Sequence, residues 1–316
     1  MKRIPREKAK AYSFDRNLPP QLYVVPDERF VLETEDAAGG HLRREGQSPN
    51  DRPLLNVWPP CSNPVAGPIY IEGAKKGDLL AIHIEDILIA SDQSFTFVQR
   101  RGPVRDSLDW AEAAAPYTHI LRHEAGPSGT MRDGRLWFNP RISWPAAPFI
   151  GKIAVAPERE VLTSILGQGI GGGNLDCRDI KAGNTFFLNC QVDGGLLFVG
   201  DVHASQGDGE FTSVAAETRA EVTLSVKVIP GKKISFPRIE TPRSLIALYF
   251  SRPLEHAVTR AFFNLMEWLV EEYGMSRRDA YMQMSVNPGV RVHIYQMIPE
   301  MALLYVVGVE FPKESI

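Results

Sequence analysis

The sequence predicts a mainly β (α+β) protein, an antiparallel β-sandwich or barrel-like core with one long helix pair in its C-terminal half. Three observations lead there. First, 24 prolines and 26 glycines are spread through 316 residues, leaving little room for long helices. Second, short apolar segments alternate with polar residues at period two and end in turn residues. Third, one stretch alone, residues 252–273, follows the 3.6-residue period, with Leu254, Ala257, Val258, Ala261, Phe262, Leu265 and Leu269 on one stripe.

Strands are expected at residues 30–35, 69–72, 79–90, 151–155, 185–192, 196–203, 212–229, 291–296 and 302–311. Within 79–90, Leu80, Ile82, Ile84 and Asp86 alternate with Ala81, His83, Glu85 and Ile87, as in a half-buried antiparallel strand. Within 221–229, Val222, Leu224, Val226 and Val228 should face inward, and Thr223, Ser225 and Lys227 outward. Ser251 is placed to cap the long helix, Pro253 suits its first turn, and Gly274 stops it. Ser276 with Asp279 then forms a capping box that opens a short second helix through Met284. Residues 93–145 are rich in Arg, Asp, Gly, Pro and Trp and only weakly periodic. They read as an insertion in a single domain spanning 1–316, placed as a lid or subunit contact.

Composition excludes several functions. Hydrophobic residues make up 44% and charged residues 23%, the balance of an ordinary globular protein. A net charge of −3 without a basic stripe argues against nucleic acid as partner. The helix–glycine–helix stretch carries only Arg277 and Arg278 at its second helix, so it lacks the basic face of a DNA reader. No run approaches 18 apolar residues, so no membrane span is expected, and the basic N-terminus lacks the apolar stretch of a secretory leader. Cys61, Cys177 and Cys190 form no paired motif and suit a reducing cytoplasm. The glycine-rich run from Gly167 to Asn174 has no Gly-Lys-Ser/Thr ending, which excludes a P-loop. Its glycines match G-x-G-x-x-G at Gly167, Gly169 and Gly172, but no βαβ context follows. Its backbone amides could form an anion nest or oxyanion hole.

The most informative stretch is residues 200–210, GDVHASQGDGE. The apolar run ahead of it reads as a buried strand delivering polar groups to its end. Asp201 and His203 should project to one face, since strand side chains alternate. A carboxylate and an imidazole converging there could bind a divalent metal or act as an acid–base pair. Gly207 and Gly209 let the turn fold Glu210 back toward them.

Several motifs then appear together. They are Asn63-Pro64-Val65-Ala66-Gly67-Pro68-Ile69-Tyr70-Ile71-Glu72-Gly73 with Gly77-Asp78 after it, and Gly172-Gly173-Asn174-Leu175-Asp176 with Asp179 and Gly183 downstream. A third is Gly200-Asp201-x-His203-Ala204-x-Gln206-Gly207-Asp208-Gly209-Glu210, and a weaker one is Glu33-Thr34-x-Asp36-x-x-Gly39-Gly40. In this order and spacing, over residues 20–310, they resemble the acetamidase/formamidase family of linear-amide hydrolases. Val202 departs from that family's usual glycine between the Asp and the His.

The resemblance implies a mainly β, usually oligomeric protein that hydrolyses short amides to a carboxylate and ammonia, with a divalent metal, zinc for preference. The matching polar positions are Asp36, Asp176, Asp201, His203 and Glu210. Amide hydrolysis needs an activated water or nucleophile, an oxyanion stabiliser and a proton for the leaving nitrogen. A metal can supply the first two. Asp36, Asp176, Asp201 and His203 are the candidate ligands, and Glu210 or Glu33 the proton carrier. Which carboxylate is ligand and which is base stays open at this level. Asn174, Gln206, Gly172 and Gly173 are the expected substrate-binding positions. The expected partners are a small amide and further copies of the chain. The competing readings are a non-catalytic binding or scaffold protein of the same fold, and a hydrolase of a larger C–N substrate.

Overall fold

Alternating apolar residues build two open sheets that share one core. In the computed structural model, which describes every residue but 54, 101 and 300, strands make up 38% of the chain and helices 12%, so the mainly β prediction holds. The first sheet has nine strands in the order Lys2–Ile4, Phe30–Thr34, Ala220–Ile229, Leu79–Ile89, Thr185–Asn189, Arg238–Glu240, Ser244–Ser251, Tyr305–Pro312 and Arg291–Gln296. The second has eleven. Its main path runs Ile142–Pro145, Arg135–Asn139, Tyr117–Glu124, Gln93–Val98, Glu217–Thr218, Leu197–His203, Phe149–Val155, Gly172–Asn174 and Gln168–Gly169. Val65–Ile71 also pairs with Leu197–His203, and Leu22–Val24 lies beyond it. Neither sheet closes into a barrel. Among the described strands only Lys2–Ile4 with Phe30–Thr34, and Leu22–Val24 with Val65–Ile71, pair in parallel.

Period-two patterning explains the core. Leu32, Ile82, Phe186, Val222 and Val226 of the first sheet meet Ile69, Ile150, Ile153, Leu197 and Val199 of the second. The alternation in Leu79–Ile89 changes phase after Ile84. Thr223 pairs with Asp86 and Leu224 with Ile84, so Glu85 is the extra residue of a β-bulge, and Ile87 and Ile89 become the buried positions. The outer face of the first sheet is covered by helix α1, Leu254–Tyr273, whose Ala257, Ala261, Leu265 and Trp268 pack on Leu245, Ala247, Val307 and Val309. Gly274 ends it in the left-handed conformation. Ser251 does not cap it: the helix begins at Leu254 with Pro253 at its N-cap, Ser251 ends the preceding strand, and its hydroxyl lies 2.8 Å from His256 Nδ1. Ser276 does cap helix α2, Arg277–Val286, accepting from Asp279 N at 3.0 Å. The weakly periodic stretch 93–145 contributes four strands that extend the second sheet.

Sequence placed the three cysteines in a reducing setting, and all three are free thiols. Cys177 and Cys190 are buried, and burial pushes the first well above the ordinary thiol range and the second up to about 12. At neutral pH a thiol reagent is therefore expected to label only Cys61 in the folded protein and all three after denaturation. Mass spectrometry of native protein showing label on Cys177 or Cys190 would contradict this packing.

Candidate active site

The strand Leu197–His203 delivers the site where its alternation fails. Leu197 and Val199 enter the shared core, while Phe198 packs against Phe14 on the other side, ring centroids 5.7 Å apart. Asp201 then takes a positive φ of 54°, and Val202 returns to the shared core. Asp201 and His203 are left together, His203 Nε2 lying 3.3 Å from Asp201 Oδ2.

Neighbouring strands complete the cluster. Lys152 lies in the wholly buried strand Phe149–Val155, and its ammonium hydrogen-bonds to Asp201. Asn174 stands opposite Lys152 in register. Asp176 follows, with Oδ1 3.8 Å from His203 Nε2. Glu217 is the cross-strand partner of His203, its Oε2 3.4 Å from Nε2. Glu210 is brought in by the short helical turn Asp208–Glu210, in which Gly209 has φ 83°. Ligand-type atoms of Asp176, Asp201 and His203 lie within 4.8 Å of one another, and so do those of His203, Glu210 and Glu217. Gly151 makes room between them, since a Cβ there would stand 2.8 Å from Asp176 Oδ1 and 3.0 Å from Asp201 Oδ2.

Apart from His203 and Gly151, these groups line a cavity of about 100 Å³, small beside the roughly 300–1,000 Å³ of typical ligand pockets. Its polar lining includes Lys152, Asn174, Asp176, Asp201, Glu210 and Glu217 with Arg52, and its apolar lining includes Phe97, Ile165, Ile298, Met301 and Leu303. Asn63, Asp176, Asp201, Glu210 and Ser213 all have positive φ, and all five line this cavity. Strained backbone outside glycine concentrates at functional sites, and among the described non-glycine residues only Asp27 and Leu196 share this conformation elsewhere. A larger groove of about 930 Å³ shares only Val214 with it among the described residues. In that groove Arg132 pairs with Asp86, Arg178 with Asp208 and His293 with Glu310, so its charges are already satisfied. In the small cavity four carboxyl groups, Asp176, Asp201, Glu210 and Glu217, crowd together, and Lys152 pairs with Asp201.

Burial and mutual charge sort the titratable groups. Burial opposes ionisation of Asp201, but the Lys152 ammonium and His203 outweigh it and hold the carboxyl low. Burial likewise opposes charge on Lys152 and His203. Asp201 and Asp176 around the one, and Glu217 and Asp201 around the other, keep both raised. Glu217 is pushed up to about 8 by burial, against the pull of His203. Glu210 is raised well above the carboxylate range by burial and then by Asp176. Two facing carboxylates give each other no donor, but a protonated Glu210 donates to Asp176. The same cavity therefore holds one carboxyl pushed low, Asp201, and one pushed high, Glu210, two environments pushed apart as acid–base sites require.

Gln206 fixes the histidine. Its Nε2 donates to the carbonyls of Asp176 at 2.8 Å and Tyr295 at 3.0 Å, so its Oε1 must be the atom 2.9 Å from His203 Nδ1. Nδ1 thus carries a proton, and Nε2 is the nitrogen turned to the carboxylates. The sequence reading expects a substrate contact at Gln206; in the structure its amide oxygen and both N–H groups are bonded within the protein. Gly172 and Gly173 also serve the scaffold. Their φ values are 89° and 139°, and a Cβ on either would stand about 2 Å from a neighbouring carbonyl oxygen, Ile153 O at 2.2 Å or Gly167 O at 2.1 Å. Asp36 belongs to neither ligand group. Its Oδ1 accepts from Ala38 N and Gly40 N, closing its own turn, and its Oδ2 lies 3.8 Å from Arg219 Nε. Glu33 is at the surface, bound to Arg3 Nη1 at 2.5 Å and Arg6 N at 3.3 Å. The structure thus brings Asn174, Asp176, Asp201, His203 and Glu210 together and leaves Asp36 and Glu33 out. It adds Lys152, Glu217 and Gln296, whose buried amide donates to Asp176.

This site sits on a chain whose residues 3–168 and 167–310 match the family model of the Acetamidase/Formamidase family. The chain belongs to the acetamidase/formamidase family. With membership comes the reaction class, hydrolysis of a carboxamide. The crystal structure of an acetamidase from Bacillus halodurans superposes with a TM-score of 0.86 at 27% identity, covering 99% of this chain and 98% of that one. An acetamidase from Yersinia enterocolitica gives 0.85 at 29% identity, over 99% and 92%. The acetamidase of Mycolicibacterium smegmatis is 24% identical over 86% of this chain and 84% of its own length. No helix among the described residues is long and apolar enough to cross a membrane.

Proposed function

We propose that this family member hydrolyses short linear carboxamides, of formamide or acetamide size, to the carboxylate and ammonia. The observation that carries the reading is a set of buried oxygens short of hydrogen-bond donors around one small cavity. They are Asn174 Oδ1, Asp176 Oδ1, Asp201 Oδ1, Glu210 Oε2 and Glu217 Oε2. Native proteins pair nearly all such atoms; even with Glu210 sharing a proton with Asp176 and with His203 Nε2 3.4 Å from Glu217 Oε2, the set is short of donors, which supports a ligand here. Asn174 Nδ2 donates to Ile165 O at 2.7 Å, which leaves its Oδ1 to accept an N–H of the carboxamide. Glu210 carries a proton for the leaving nitrogen. The apolar side takes the acyl group, and the cavity's size favours a short amide over a larger C–N substrate.

The remaining oxygens and His203 Nε2 fit a divalent ion, since one imidazole nitrogen with two carboxylates is a zinc-type donor set. Asp176, Asp201 and His203 would hold it, with Glu217 beside them. When bound, it lowers the pKa of water and polarises the amide carbonyl. Gln206 keeps Nε2 of His203 turned to that place, and Lys152 keeps Asp201 ionised. A homo-oligomer working in the cytoplasm completes the reading, supported by the three free thiols and the family resemblance.

Ammonia release measured over formamide, acetamide, propionamide and benzamide tests it. Release is expected from the short aliphatic members, lost on chelation and restored by zinc. His203→Ala is expected to strip the ion while far-UV circular dichroism stays unchanged. A protein that releases no ammonia from any of the four, metal-loaded or not, would favour the binding or scaffold reading.

A further inference from the structure

We infer that Arg252, remote from the reacting atoms, sets the length of acyl chain the cavity accepts by holding the segment that forms its apolar wall. The inference rests on the proposal that this cavity takes the amide. Ile298, Met301 and Leu303 supply much of that wall. They lie between the strands Arg291–Gln296 and Tyr305–Pro312, in a stretch whose described residues belong to no strand. Its carbonyls therefore need partners from elsewhere.

Arg252 provides them. Its Nε donates to Leu303 O at 2.7 Å, Nη1 to Pro299 O at 2.9 Å, and Nη2 to Ile298 O at 2.8 Å and Met301 O at 2.5 Å. Its guanidinium carbon lies 4.7 Å from the centroid of the Tyr305 ring. One planar, five-donor fork thus gathers four carbonyls of this stretch, three of them from residues of the wall, a task a lysine's compact ammonium cannot perform. The other end of the stretch is tied to the polar side. Gln168 Oε1 accepts from Leu304 N at 2.6 Å, and its Nε2 donates to Asn174 O at 2.8 Å and Gln296 Oε1 at 3.1 Å. The wall is therefore held at a fixed distance from Asn174 and Asp176. That distance is the space left for the acyl chain, where one methylene is worth roughly 10–200-fold in selectivity.

The test is kcat and KM for formamide, acetamide, propionamide and butyramide with metal-loaded wild type, Arg252→Ala, Arg252→Lys and Leu303→Ala. Wild type should fall steeply once the chain outgrows the cavity. Arg252→Ala should raise the butyramide-to-acetamide ratio of kcat/KM by about tenfold or more, chiefly through KM, with kcat on acetamide held within a few-fold. Arg252→Lys should lie between, and Leu303→Ala should move the profile the same way. A folded Arg252→Ala enzyme with the wild-type profile, or with an equal loss of kcat on every amide, overturns the inference. If Arg252→Ala does not fold, Arg252→Lys decides. A wild-type profile there, with Leu303→Ala shifted, takes the role from Arg252. A wild type inactive on all four amides removes the functional proposal, and this inference with it.

Discussion

Glu210→Gln is expected to lower kcat on the best amide by about 10²–10⁴-fold, with metal still bound. An amide nitrogen leaves poorly unless a proton reaches it. Of the carboxyls lining the cavity, Glu210 is held protonated both by burial and by the facing Asp176. Its left-handed φ of 47° fixes it on the turn after Gly209, so the side chain is pre-placed rather than recruited. Glutamine keeps the volume and a donor toward Asp176 but cannot release and regain a proton. The loss should therefore appear in kcat, with KM changed little. Near-normal kcat in a metal-loaded, folded variant would move the proton to Glu217, whose carboxyl is also pushed up, to about 8.

Much of this was legible because the relevant signals are local. The buried strand ending in Asp201 and His203 follows from an apolar run meeting polar residues, and the helix over 254–273 from its period. The return of Glu210 follows from the glycines around it. What stayed hidden depends on pairing between distant segments. Glu217 matters because it stands across from His203 in the sheet, and no local pattern reports that register. Lys152 was present as a charge inside an apolar strand, Phe-Ile-Gly-Lys-Ile-Ala-Val, and a lysine that must bury with its strand is a signal in itself. Asp36 and Glu33 were drawn in by motif spacing. The fold gives Asp36 to its own turn, the commonest use of an aspartate before glycines, and Glu33 to surface arginines. The cap at Ser251 failed because the strand before the helix runs through Ser251 and the helix starts only at Leu254.

Lys152→Met is expected to be the most destabilising single change at the site, by about 3–5 kcal/mol in protein freed of divalent ions. The ammonium is 1% exposed, and Asp201, to which it is bound, is 2% exposed. A charge pair so placed adds little over an apolar pair, but removing one member strands the other without solvent. The sign of the pH dependence follows from the shifts. Asp201 is lowered in the fold, so it contributes stability above the ordinary carboxylate range that is lost as pH falls. Lys152 is raised, so its contribution is present below the ordinary lysine value and is lost only as pH rises past it. At neutral pH the wild type holds both. The methionine variant leaves Asp201 with His203 alone, and burial then favours its protonated form. The deficit of the variant should accordingly be largest near neutrality and narrow as pH is lowered toward the carboxylate range, where Asp201 can fold carrying its proton. Denaturant titrations of both proteins at pH 7 and pH 5 measure this directly. A deficit below about 1 kcal/mol at pH 7 would mean that Asp201 does not depend on Lys152 for its charge.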